Sequence, residues 1–148
     1  MLLWQLNKPE YVPGLDGEGA RLNGGRWNNP GNPAVYSASS LALAALEVLV
    51  NLPPDLRRKG NVPDYVAICL TIPDGLIDEP GHPAGLPEDR SRRIGDDWLK
   101  SVAALGLRVP SSVVQLEHNI VLNPRHPAMA DVTVTRTEPF EFDDRLLG

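Results

Sequence analysis

Prolines and glycines leave this chain few places to build anything long. Fifteen prolines and thirteen glycines interrupt its 148 residues. Each proline removes a backbone donor and fixes φ, and each glycine weakens the interior of a helix or strand. Elements are therefore expected to be short and loops numerous. One stretch escapes: AVYSASSLALAALEVLVN, residues 34–51. It predicts a buried strand from Ala34 to Ser37, an N-cap at Ser39 or Ser40, and a helix running through Val50. Pro53 and Pro54 stop further growth.

Around that stretch the pattern predicts a strand over residues 1–6, mostly loop over 12–33, and a β-branched strand from Asp64 to Ile72. PDGLIDEPGHPAGLP, from Pro73 to Pro87, reads as a long surface loop. A helix is expected from Ile94 to Leu105, ending near Gly106. Val113–Leu116, Asn119–Leu122 and Val132–Thr135 read as extended, with Phe140–Phe142 adding an edge. Helices interrupting short strands favour an α+β fold over a regular βαβ succession. The length suits one domain, residues 1–148, with a single core.

Charge and cysteine usage narrow the function. A formal net charge of −5 argues against direct nucleic-acid binding, which needs a basic face. The lone Cys69, in VAICLTI, is expected to be a buried thiol, which fits a reducing, cytoplasmic compartment. The apolar run from Leu41 to Val50 is short of the roughly 20 residues that a membrane span needs, and the N-terminus MLLWQLNKPEY reads as no secretory signal.

Two segments carry residues suited to chemistry. In GARLNGGRWNNPG, glycines let the backbone approach a ligand, Arg21 and Arg26 offer guanidinium forks for phosphate oxygens, and Asn28 and Asn29 add amide donors. A solvent-exposed turn series with two surface arginines explains the loop equally well. Neither a Walker sequence nor GxGxxG spacing occurs. In SLALAALEVLV, apolar residues fall on every face, which predicts burial nearly all round. Glu47 is the exception. A buried carboxylate is costly without a partner, so it points out through a gap, pairs structurally with an arginine, or stands at the floor of a cleft, where perturbed carboxylates gather. Tyr36 and Ser111 have ordinary structural explanations as a core aromatic and a turn residue. Three separated histidines, His82, His118 and His126, give no metal-ligand spacing, so no metal is expected. No GxSxG elbow or Cys–His pattern supports a nucleophilic triad.

Taken together, GARLNGGRWNNPG, AVYSASSLALAALEVLV, IGDDWL, RVPSSVV with LEHNIVLNPRHP, and the ending FEFDDRL resemble, in order, the motifs of the RES domain family. These are the toxin components of bacterial Xre–RES toxin–antitoxin modules. The resemblance implies a compact α+β fold similar to ADP-ribosyltransferase toxins. It also implies NAD+ as a consumed substrate rather than a bound cofactor, and neutralisation by an Xre-type antitoxin that binds the DNA. By motif, the catalytic set it implies is Arg26, Tyr36, Glu47 and Ser111, with Arg21, Gly25 and Asn28 binding substrate. Gln5 stands where members often carry arginine, and Asn51 where a histidine often follows the helix. Water, phosphate or a protein could accept the ADP-ribose, a non-catalytic binding domain is the alternative, and homo-oligomerisation stays open.

Overall fold

A computed structural model describes all residues, 1–148. In chain order the elements are β1 (Leu2–Asn7), α1 (Glu18–Asn23), β2 (Val35–Ala38), α2 (Leu41–Asn51), β3 (Tyr65–Thr71), β4 (Ile77–Asp78), α3 (Glu88–Ser101), β5 (Gly106–Pro110), β6 (His118–Leu122) and β7 (Thr133–Phe140), with three short 3-10 turns. The strands form one seven-stranded sheet in the order β4-β5-β6-β2-β1-β3-β7. Every pairing is antiparallel except β4 with β5. This is the expected α+β class.

The middle of the sheet matters most for the site. β1 pairs with β3 along its whole length, from Leu2 opposite Thr71 to Asn7 opposite Val66. With β2 it shares a single register pair, Trp4 opposite Ala38. The two strands then splay apart, and a side chain substitutes for the lost ladder: Gln5 Nε2 donates to the Tyr36 carbonyl at 3.0 Å. Buried backbone acceptors need a partner, and a neutral amide supplies one here.

Three apolar clusters hold the layers. Leu3, Val35, Ile68, Leu70, Leu105, Ile120 and Leu122 fill the sheet's main core. Leu6, Ala38, Tyr65 and Ala67 cluster with Leu43 and Ala44 of α2. Trp27, Leu107, Val109 and Val121 cluster with Leu99 of α3. Cys69 is buried as expected, and no helix is long and apolar enough to cross a membrane.

Several local expectations need correction. The loop over 12–33 contains α1. α3 starts at Glu88, six residues before the expected Ile94, because its first turns are charged and carry no apolar stripe; Glu88 and Asp89 still suit the N-terminal dipole. It ends at Ser101 with Val102 in the left-handed region at φ 52°. Gly106 opens β5 instead of closing the helix: a Cβ there would stand 2.4 Å from Ile77 Cδ1. The loop from Pro73 to Pro87 contains β4. Val113–Leu116 is a turn, because Ser111 Oγ captures the Val113 and Val114 N–H groups at 3.0 Å each. β7 runs unbroken to Phe140 through Pro139, since an edge strand tolerates a residue with no N–H. Helix α2, capped by Ser40 Oγ accepting from Leu43 N–H, is not buried all round: only Leu43 and Ala44 are buried, while Leu46 is 37% and Val50 53% exposed.

Candidate active site

The splay between β1 and β2 lies at the floor of a hollow of about 620 Å3, within the range of small-molecule sites. Trp4 to Asn7, Tyr36 to Ala38 and Gly24 to Trp27 line it, and α2 contributes Glu47, Val48 and Asn51. Among the lining residues Arg26 is the single cation and Glu47 the single anion. Neither takes part in any of the molecule's ion pairs. Both are half-buried.

Glu47 is aimed by its neighbours. Its Oε1 accepts from Ser111 Oγ at 2.6 Å and from Asn119 Nδ2 at 2.8 Å. The Ser111 hydroxyl already accepts two amide N–H groups from its own turn, so its hydrogen has one direction left, toward the carboxylate. Oε2 takes no hydrogen bond from the protein. Two donors on one oxygen thus fix the rotamer and leave the other free. Ser111 is fully buried and does not line the hollow; it acts on Glu47. Asn119, on β6, is a partner that sequence reasoning missed. The signal was a polar residue opening the apolar run HNIVL. Its Oδ1 is the one buried side-chain polar atom without a partner.

Tyr36 lines the hollow, while its hydroxyl is used internally: it accepts from Trp27 N–H at 2.9 Å and donates to Asn28 Oδ1 at 2.8 Å. Burial pushes the phenol well above its usual range, against a smaller opposing effect of the Trp27 hydrogen bond, so the group stays neutral and is no general base.

Of the three expected substrate-binding residues, Gly25 lines the hollow, while Arg21 and Asn28 do not. Arg21 does not line the hollow; its guanidinium lies on Glu18 one turn earlier on exposed α1. Asn28 is fully buried, with Nδ2 on the Ala20 and Asn32 carbonyls at 2.9 Å each, and so serves the loop rather than a ligand. Gly25 lines the hollow, but its N–H donates to Asn28 O and its carbonyl accepts from Arg92 Nε. A Cβ at Gly25 would stand 2.7 Å from the Tyr36 hydroxyl: glycine is needed there for close packing. The Gly24 N–H is likewise spent on Ala20 O. Arg26 itself places Nη2 on the Leu86 carbonyl at 3.1 Å, which leaves its other guanidinium N–H groups available.

The RES domain family matches residues 2–143. The chain belongs to the RES domain family. It is similar to the toxin Res of Photorhabdus laumondii, 38% identical over 132 residues that cover 84% of this chain and 82% of the relative. It is also similar to the toxin Res of Yersinia enterocolitica, 34% identical across 99% of both chains. A protein of Sphingobium named Prs ADP-ribosylating toxin is 33% identical over 90% of this chain and 86% of its own. The fold is similar to a chain in the crystal structure of the M. tuberculosis MbcT–MbcA toxin–antitoxin complex, with a TM-score of 0.70 and 17% identity over 94% of this chain and 83% of that one. This RES-domain protein is therefore of the toxin class, with the α+β fold seen in a toxin–antitoxin complex.

Proposed function

We propose that this RES-domain protein is a cytoplasmic toxin that consumes NAD+ by cleaving its nicotinamide–ribose bond. The observation that carries the reading is the unpaired Arg26 and the aimed Glu47 on one dinucleotide-sized hollow. In this reaction the bond from the anomeric carbon to the nicotinamide nitrogen breaks, its electron pair leaves with neutral nicotinamide, and positive charge develops on the ribose. A fixed carboxylate oxygen stabilises that charge; Glu47 Oε2 fills this role. Arg26 takes the pyrophosphate, and the Tyr36 ring offers the nicotinamide a stacking face. Water then attacks the anomeric carbon, and its proton is released, giving ADP-ribose, nicotinamide and H+. No bound cofactor is needed.

A second reading transfers ADP-ribose to a protein, favoured by the Sphingobium relative's name. Phosphate in place of water makes the enzyme a phosphorylase. By its likeness to a chain of a toxin–antitoxin complex, the protein is proposed to be held inactive by an Xre-type antitoxin. Purified protein incubated with labelled NAD+ tests these readings by chromatography and gel. Free ADP-ribose marks a hydrolase, ADP-ribose phosphate a phosphorylase, and a labelled protein band a transferase. Absence of nicotinamide release in all three formats overturns the enzymatic reading in favour of a binding domain.

Ser111→Ala separates aiming from contact. The variant loses one of two donors on Glu47 Oε1 and strands two turn amides. Turnover is expected to fall about tenfold, the size of one hydrogen bond to a charged group, with stability reduced by about 1–2 kcal/mol. Steady-state kinetics and thermal denaturation measure the two.

A further inference from the structure

The IGDDW segment has no part in the chemistry above, yet it sits where it controls the Arg26 loop. Ser91, Arg92, Gly95 and Asp96 are spaced to share one face of α3. Ser91 Oγ donates to the Arg26 carbonyl at 2.6 Å. Arg92 Nε donates to the Gly25 carbonyl at 2.8 Å. At Gly95 a Cβ would stand 1.7 Å from the Trp27 carbonyl oxygen, so helix and loop backbones touch directly. Asp96 Oδ1 accepts from Asn29 N–H at 3.0 Å and Asn32 Nδ2 at 2.9 Å, and Oδ2 accepts from Asn29 Nδ2 at 2.7 Å. Arg26 is also tied through its side chain, to Leu86 just ahead of α3. The loop also has holds of its own, the Gly25–Asn28 bridge and the Asn28 and Tyr36 side-chain bonds, but the side chains of Asn29 and Asn32 are tied only to Asp96.

None of these four α3 residues lines the hollow. Ser91 is fully buried and Asp96 9% exposed. A carboxylate buried with three amide donors and no cation on it is a costly arrangement to keep. Its donors come only from the loop that carries Arg26.

We propose that Asp96, with Ser91, Arg92 and Gly95, forms a positioning clamp: α3 holds residues 25–32 in the conformation that keeps Arg26 on the lining of the hollow, and so sets affinity for the anionic part of the substrate. The identity of that substrate rests on the NAD+ reading; the clamp does not. Asp96→Asn keeps the shape and turns one acceptor into a donor facing an amide N–H. The expected result is faster amide hydrogen exchange confined to residues 25–32, with KM for NAD+ raised about tenfold or more, the size of a charge-assisted hydrogen bond, and kcat nearly unchanged. A role in general stability predicts the opposite split, a smaller active fraction at unchanged KM. Combining Asp96→Asn with Asn29→Asp restores a donor–acceptor pair at the Oδ2 position while Oδ1 keeps its two donors, and is expected to recover most of the lost affinity. Should Asp96→Asn fail to fold, Ser91→Ala removes the bond to the Arg26 carbonyl, together with a longer one to the Glu88 carbonyl within α3, and is expected to shift KM and exchange in the same direction. Unchanged loop exchange and unchanged KM in folded Asp96→Asn overturn the clamp. If the wild-type protein releases no nicotinamide, the NAD+ reading fails, and hydrogen exchange still decides the clamp.

Discussion

Glu47→Gln protein is expected to fold as the parent does and to lose about a thousandfold in nicotinamide release, an effect at the upper end of removing one preorganised charge-stabilising group. The geometry makes this substitution sharper than truncation to alanine. A glutamine carbonyl oxygen in the place of Oε1 still accepts from Ser111 and Asn119, so the two contacts that aim the side chain persist. What changes is the oxygen turned to the hollow, which becomes an NH2 group. That group carries no negative charge to meet the cation developing on the ribose. Thermal denaturation should therefore move by less than about 1 kcal/mol, while KM stays near its parent value. A folded Glu47→Gln enzyme with parent-like turnover would remove the carboxylate from the mechanism. Glu47→Asp is a useful companion: it keeps the charge but is one methylene too short to hold Ser111 and face the hollow together.

The parts of this molecule that sequence could reveal are those governed by local chemistry. The α2 helix was legible because Ser40, an apolar run and two prolines lie in order. β3 was legible because Val66, Ile68 and Thr71 recur in an apolar run that prolines bound on both sides. The α3 helix was half hidden, since its first turns meet the protein through polar groups: they grip a loop through Ser91, Arg92 and Asp96, and apolar packing begins only at Ile94. Residues that share a motif proved separable only in space. Arg21 and Arg26 stand five apart and look alike, but α1 turns the first onto Glu18. Asn28 reads as a donor for a ligand, yet its neighbours Ala20, Asn32 and Tyr36 take all it has. The splay between β1 and β2, which floors the hollow, depends on a register that neither strand encodes alone. Gln5 gave no hint from sequence that it would bridge that gap.

Arg26→Ala should act on binding rather than on the chemical step. Arg26 is the one positive charge lining the hollow of a net-acidic protein, so no neighbour stands ready to replace it. A guanidinium fork on phosphate oxygens forms charge-assisted hydrogen bonds worth about 3 kcal/mol together, or roughly a hundredfold in KM. Much of the fold should tolerate the loss, because the side chain makes one hydrogen bond to the protein, to Leu86, while the loop backbone stays gripped by α3. Salt gives an independent check. The parent's affinity for NAD+ should weaken as ionic strength rises, and the Arg26→Ala variant should show a flatter dependence. Arg26→Lys keeps the charge without the planar fork and is expected to fall between the two. Equal KM values for parent and Arg26→Ala, with equal salt dependence, would mean that the pyrophosphate is held elsewhere. The hollow's two charges would then no longer mark the two ends of one substrate.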